Sequence, residues 1–185
     1  MGIGPGFFNT YNFKIMRRNI TTGIGIQILF IALLSATFSS CSKDDEPAEN
    51  DYYVRFNASG QKVEFKVHGS LVAAFGQSGS NHNAVFTGYD ATSNISLQVF
   101  DNKAITTATY TGYTLSGSSF IGALIGYTDK SGTLYMQDAL NPVTSISISE
   151  ITATTVKGTF SGTVKASGKT DISITNGEFY VWRAN

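Results

Sequence analysis

From Tyr52 to Arg183 apolar side chains recur at every second position, in short runs cut apart by Gly, Asn, Ser and Asp. A period of two sends alternate residues to opposite faces of a strand, so one face is buried while the other stays wet. No stretch beyond Cys41 carries an apolar period of 3.6 over a useful length. The pattern confines this part of the chain to all-β architectures. Turn signals at spacings of about 8–12 residues give about ten short strands, and they predict an antiparallel β-sandwich or flattened β-barrel over residues 52–185.

Individual runs carry the argument. Tyr52, Val54 and Phe56 share one face of a first strand, and Val63, Phe65 and Val67 share one face of a second. Ser59-Gly60 between them predicts a hairpin. Leu71–Phe75 is a short apolar run that reads as a strand or a single helical turn. Gly76–Asn83 reads as a polar loop. Phe120–Tyr127 is apolar or small on both faces, as in a central strand covered on each side. In the last third Val156, Phe160 and Val164 point one way, with Gly158 and Gly162 expected to flank the Phe160 ring. Asn176-Gly177 is a strong tight-turn dipeptide and predicts a turn before a final strand, Glu178–Arg183.

The amino-terminal segment has a different character. Lys14, Arg17 and Arg18 precede an apolar stretch, Ile24–Leu34, and small residues Ser39 and Ser40 stand before Cys41, the only cysteine. A basic end, a short apolar core and a small-residue cleavage site make a secretory signal. Thr21, Thr22, Gln27, Ser35 and Thr37 leave it short of the roughly 20 apolar residues of a membrane span. The arrangement resembles the signal peptide and lipobox of a bacterial lipoprotein. That resemblance implies cleavage before Cys41 and acylation of Cys41, which then holds the protein at a membrane. Met16-Arg-Arg-Asn is the more ordinary start for such a segment, so residues 1–15 are read as a mis-assigned start, 16–40 as the signal peptide and 41–51 as an acidic tether. Ser42, Lys43, Asp44, Asp45 and Glu46 resemble the acidic export signal of Bacteroidota lipoproteins, which implies the outer face of the outer membrane.

Charge and composition exclude some functions. Thirteen basic residues balance thirteen acidic ones, and loss of Lys14, Arg17 and Arg18 with the signal leaves the remainder net acidic. No basic face is available for nucleic acid, whose affinity depends on neutralised phosphates. With Cys41 acylated, neither a disulfide nor a thiolate metal site is available. Of the two histidines, His68 and His82, the latter lies in the polar loop without partners at zinc-ligand spacing, so no metal or other cofactor is expected. No G-x-S-x-G nucleophile elbow occurs. Asp90, Asp101, Asp129 and Asp138 fall at strand ends or turns, where acids serve the backbone. An enzyme is not expected.

A binding role has more support. Glu178, Tyr180 and Trp182 share one face of the last strand, opposite Phe179 and Val181. Rings beside a carboxylate suit a sugar; alternatively Trp182 caps the end of the barrel or completes the core. Tyr110, Tyr113, Tyr127 and Tyr135 carry the same two readings, ligand surface or core, and an open barrel mouth lined by tyrosines would favour binding. Gly158-Thr-Phe-Ser-Gly162 followed by Ile174-Thr-Asn-Gly-Glu-Phe179 resembles the carboxyl-terminal signature of a family of uncharacterised Bacteroidota surface lipoproteins. The resemblance implies fold and location and no activity. The expectation is a lipid-anchored envelope protein that holds a glycan or small apolar ligand, or else a structural or adhesion component acting through protein contacts. Partner identity and oligomeric state are not legible.

Overall fold

The computed structural model describes residues 52–67, 69–116, 119–138 and 143–184. Among them are twelve strands and no helix. They are β1 (Tyr53–Ala58), β2 (Gln61–Phe65), β3 (Val72–Ser78), β4 (Asn81–Tyr89), β5 (Asn94–Asp101), β6 (Thr109–Thr111), β7 (Tyr113–Ser116), β8 (Ser119–Thr128), β9 (Leu134–Gln137), β10 (Thr144–Ile151), β11 (Thr155–Lys165) and β12 (Ile172–Arg183). The described residues belong to one unit, Pro47–Asn185.

Two layers face one another. The first runs β2-β1-β12-β11-β10-β6; the second runs β3-β4-β5-β8, with β7 and β9 sharing the far edge of β8. The layers join where the ends of β12 reach β3 and the ends of β11 reach β9, so the path β12-β3-β4-β5-β8-β9-β11 returns to β12. This is the expected all-β fold, a flattened barrel in which β1-β2 and β10-β6 extend one layer. One junction departs from the antiparallel expectation: Trp182 and Arg183 pair with Val72 and Ala73 in parallel. The reason is geometric. β12 arrives at the corner alongside β3 rather than through a hairpin, and Trp182 N donates to Leu71 O at 3.1 Å.

One open reading is resolved and several local expectations change. Val72–Phe75 is strand rather than a helical turn. Val67, expected to face inward, lies beyond the end of β2 and is 53% exposed. Gly76–Asn83 is no loop: β3 runs to Ser78, turns at Gly79-Ser80 and returns as β4, placing His82 opposite Gln77 and Asp101. Asn176-Gly177 is not a turn between strands. It lies inside β12, where the register slips between Thr175 and Glu178 against β1 and between Ile174 and Gly177 against β11. Asn176 has φ of 51°, a left-handed conformation that Asn tolerates better than most residues, and the extra residue makes a β-bulge.

The core is aromatic at its centre. Phe86 of the second layer stacks on Phe179 of the first at 4.7 Å, and Phe56 meets Tyr127 edge-on at 5.4 Å. Glycine makes room for these rings. β11 and β12 carry the triplets Gly158-Thr-Phe160 and Gly177-Glu-Phe179, and their antiparallel register sets Gly158 opposite Phe179 and Phe160 opposite Gly177. A Cβ on Gly158 would lie 2.4 Å from Phe179 Cζ, and one on Gly177 would lie 2.7 Å from Phe160 Cδ2. Each ring therefore lies over the glycine across the strand. Phe160 is covered by Gly177, not flanked by Gly158 and Gly162 as the one-strand pattern suggests. Tyr110, Tyr127 and Tyr135 are buried in this core and do not line an open mouth.

Candidate functional site

β12 places the three residues singled out from sequence. Phe179 and Val181 point inward, at 1% and 0% exposure. By alternation Glu178, Tyr180 and Trp182 stand on the outer face, and all three are half-buried. The register adds neighbours that the strand by itself cannot reveal: Arg55 and Thr159 flank Glu178, Tyr53 and Lys157 flank Tyr180, and Thr155 flanks Trp182.

These neighbours engage the groups. Arg55 donates to Glu178 Oε2 from Nε at 2.9 Å and from Nη2 at 2.5 Å. This hydrogen bond raises the guanidinium's pKa further above its ordinary value, and the carboxylate is neutralised. The Lys157 ammonium sits 4.7 Å from the centre of the Tyr180 ring, and the Arg55 guanidinium 4.4 Å from that of Tyr53. Lys157 also pairs with Glu150 at 3.3 Å. Tyr52 abuts Tyr180 at 5.2 Å. Trp182 packs against the core margin at the corner with Val72, which is buried. Its position matches the cap reading. No single ring here offers an open platform, and the carboxylate is not a free acid.

The concave part of the face lies next to these residues. A shallow depression of about 400 Å³ is lined by Ser145, Thr159, Ser161, Asn176 and Glu178. A second, of about 560 Å³, shares Ser145 and Ser161 with it and continues to Thr111, Thr163 and Ser173. Both are open to solvent along their length, as a surface groove is, and neither is an enclosed cavity. The β12 bulge at Asn176 sets one end. Phe160, Val143 and Ile174 contribute apolar surface between the hydroxyls; hydroxyl groups both donate and accept, so the groove suits an uncharged ligand with many hydroxyls and apolar C–H faces. Sequence reading missed Ser145, Thr159 and Ser161. The signal was present as outward Ser and Thr alternating on β10 and β11, but only their register joins them.

The acids of the turns serve the backbone. Asp90 Oδ1 accepts from Thr92 N and Ser93 N, both at 2.8 Å, and these bonds hold its carboxyl below the usual range. Asp129 is held down first by the Ser131 hydroxyl at 2.6 Å. Asp138 pairs with Lys165 at 3.1 Å, and Asp101 accepts from Lys103 N. Among the described residues no three His, Cys, Asp or Glu gather as metal ligands. Cys41, the stretch Ser42–Glu46 and His68 lie outside the described residues. No family model matches the chain, and neither a curated protein nor a solved structure matches it.

Proposed function

We propose that this is a lipid-anchored protein of the bacterial cell envelope whose β domain binds a neutral glycan in the hydroxyl-lined groove of the first layer. The observation that carries the binding role is the continuity of the two depressions through Ser145 and Ser161. Glu178 stands at one end of the groove, already neutralised by Arg55. An uncharged, hydroxyl-rich concavity is complementary to a chain of uncharged hydroxyls and repels neither sign of charge. The carboxylates engaged in turns and ion pairs support a binding role over a catalytic one.

Anchoring rests on sequence: the basic start, the apolar stretch and the small residues before Cys41, with Ser42–Glu46 directing the protein to the cell surface and the outer membrane. Replacing Cys41 with Ala is expected to release the protein from membranes, and persistence in the membrane fraction overturns the anchor. Replacing Lys43, Asp44, Asp45 and Glu46 with Ala is expected to hide the protein from protease added to intact cells.

The glycan reading is tested by affinity electrophoresis of residues 47–185 against a panel of neutral polysaccharides. Retardation by one of them, abolished in the Ser145→Ala/Ser161→Ala double variant with an unchanged circular dichroism spectrum, is the expected result. Retardation by none, or retardation untouched by the double variant, sinks the proposal. A second reading, a structural or adhesion component acting through protein contacts, is favoured by the core closed with rings. At the edge strand β2, Lys62 and Glu64 disfavour strand addition by another chain; the opposite edge of the layer, β6, is uncharged and is the edge left for it.

A further inference from the structure

The two layers differ in charge. Strands of the first layer carry Arg55, Lys62, Glu64, Glu150, Lys157 and Glu178, among others. Across β3, β4, β5, β7, β8 and β9 the one Asp, Glu, Lys or Arg is Asp101, the last residue of β5. The outer face of the second layer therefore has no ionised group within it. Its centre holds Val85, Gln98 and Leu124, which lie side by side in register on β4, β5 and β8 and are half-buried. At one end Tyr89 and Leu134 stand 49% and 56% exposed in one cross-strand row through Asn94 and Thr128. At the other end Phe120 stacks on Tyr113 at 5.4 Å and touches Phe100 at 6.0 Å. Among the described residues no strand packs on this face.

We infer that this face is the contact surface of a symmetric dimer, and that its occupant is a second copy of the chain. A two-fold interface sets a surface against itself. Lys and Arg only donate hydrogen bonds and carboxylates only accept them, so a self-facing surface that holds them leaves like charges opposed. The polar groups here are amides and hydroxyls, as in Asn83, Asn94, Ser96 and Gln98, and each both donates and accepts. They satisfy copies of themselves, and the apolar side chains between them exclude water.

The area suits a weak dimer. Five strands about 4.8 Å apart and about seven residues long cover roughly 550 Å² per copy. Two copies bury roughly 1,100 Å², just under the roughly 1,200–2,000 Å² of stable interfaces and within the range of weak ones. The acidic stretch Asp44-Asp45-Glu46 is a poor cover for such a face, since its carboxylates would lose water and gain no cation. This inference is independent of the glycan proposal, whose groove lies on the opposite layer.

Sedimentation equilibrium of residues 47–185 tests it, because every described strand pairing falls within that unit. A monomer–dimer equilibrium with Kd of about 1–100 μM is expected. Gln98→Lys and Leu124→Lys each bring like charges together across the two-fold and are expected to weaken it at least tenfold, while Thr159→Lys on the opposite layer leaves it unchanged. Thermal melts of the variants check that each is folded. The chain lacks cysteine beyond Cys41, so Ser96→Cys adds a unique thiol that is expected to form a disulfide-linked dimer on oxidation. A monomer up to about 1 mM overturns the proposal and leaves the face to a partner of other chemistry. A dimer indifferent to both lysines, or growth beyond two copies, overturns it equally.

Discussion

Replacing Gly177 with Ala should cost far more than a glycine substitution in a strand normally does. The added Cβ would lie 2.4 Å from Phe160 O and 2.7 Å from Phe160 Cγ and Cδ2. Ordinary carbon contacts stand near 3.5–4.0 Å, so about 1 Å must be recovered. The ring cannot swing clear, because Phe56 and Phe179 hold it at 5.7 and 6.4 Å. The carbonyl belongs to the backbone of β11 and moves only with the strand. Overpacking of this kind costs about 1–3 kcal/mol, and with backbone and ring both opposed we expect about 3 kcal/mol. Gly168 is the control. Its φ is 70° and nothing lies near its Cβ position, so Gly168→Ala carries conformational strain only, about 1 kcal/mol. Equilibrium unfolding of residues 47–185 in urea, followed by fluorescence of Trp182, the single tryptophan, reads both. With a urea slope of about 1.5–2 kcal/mol/M, Gly177→Ala lowers the midpoint by about 2 M and Gly168→Ala by about 0.5 M. Phe160→Leu in the Gly177→Ala background relieves the ring clash, so the pair should fall short of additivity by about 1 kcal/mol. If Gly177→Ala costs no more than Gly168→Ala, or the pair is additive, the exchange of ring for glycine across β11 and β12 is not what shapes this core.

Three further outcomes follow from particular contacts. Gln137 is buried on β9, and among the described residues neither its Nε2 nor its Oε1 has a hydrogen-bond partner. Gln137→Leu should therefore stabilise the domain by about 1 kcal/mol in urea unfolding, and a loss of that size instead would mean the amide is satisfied in solution. The Arg55–Glu178 pair leaves both side chains more than 40% exposed; a double-mutant cycle to Ala should give a coupling of about 0.2–1 kcal/mol that shrinks in high salt, and a larger, salt-insensitive coupling refutes the solvent-screened geometry. Hydrogen bonds from Thr92 N and Ser93 N hold the pKa of Asp90 down, and those from the Ser131 hydroxyl and Thr133 N do so for Asp129. Each group binds protons less readily folded than unfolded, so its stabilisation is complete above the unfolded pKa of about 3.9 and is lost as pH falls through the lower folded value. The urea midpoint should hold level down to about pH 5 and drop below about pH 4, less steeply for Asp90→Ala/Asp129→Ala; equal slopes would remove these turns from the account.

The fold class was legible because alternation is a one-strand property. Val54 and Phe56, or Val156, Phe160 and Val164, declare their inward face without reference to any partner. What could not be read depends on two strands at once. Asn176-Gly177 carries the chemistry of a hairpin turn, and whether it turns the chain or bulges it depends on whether β1 and β11 both continue past it. They do, so β12 runs unbroken from Ile172 to Arg183. Gly76–Asn83 read as loop because its residues are polar, yet that stretch lies beyond the core, where neither face needs apolar residues. The same limit applied at the site. Glu178, Tyr180 and Trp182 were rightly placed together on one face, but Arg55 and Lys157, which occupy that carboxylate and that ring, come from sequence-distant strands.

The charge asymmetry between layers is legible in sequence once strands are assigned to layers, and it separates two uses of one small domain. The groove on the first layer is polar and concave; the face of the second is uncharged and crossed by apolar rows. Packed layers stand about 10 Å apart, and rings such as Phe86 and Phe179 fill that space. A ligand on one side thus meets no atom of the other. Dimerisation would then leave both grooves open and turned away from the contact, giving two sites on one body. Two linked sites on one polymer raise the apparent affinity without a new contact, provided the polymer reaches both. The two proposals therefore separate in a single experiment. Gln98→Lys should lower the retardation by a long neutral polysaccharide to that of a monomer and leave binding of a short oligosaccharide unchanged, whereas Ser145→Ala/Ser161→Ala should abolish both and leave the mass at that of a dimer. Loss of short-ligand binding on Gln98→Lys would mean that the layers are coupled through the core, contrary to the packing described.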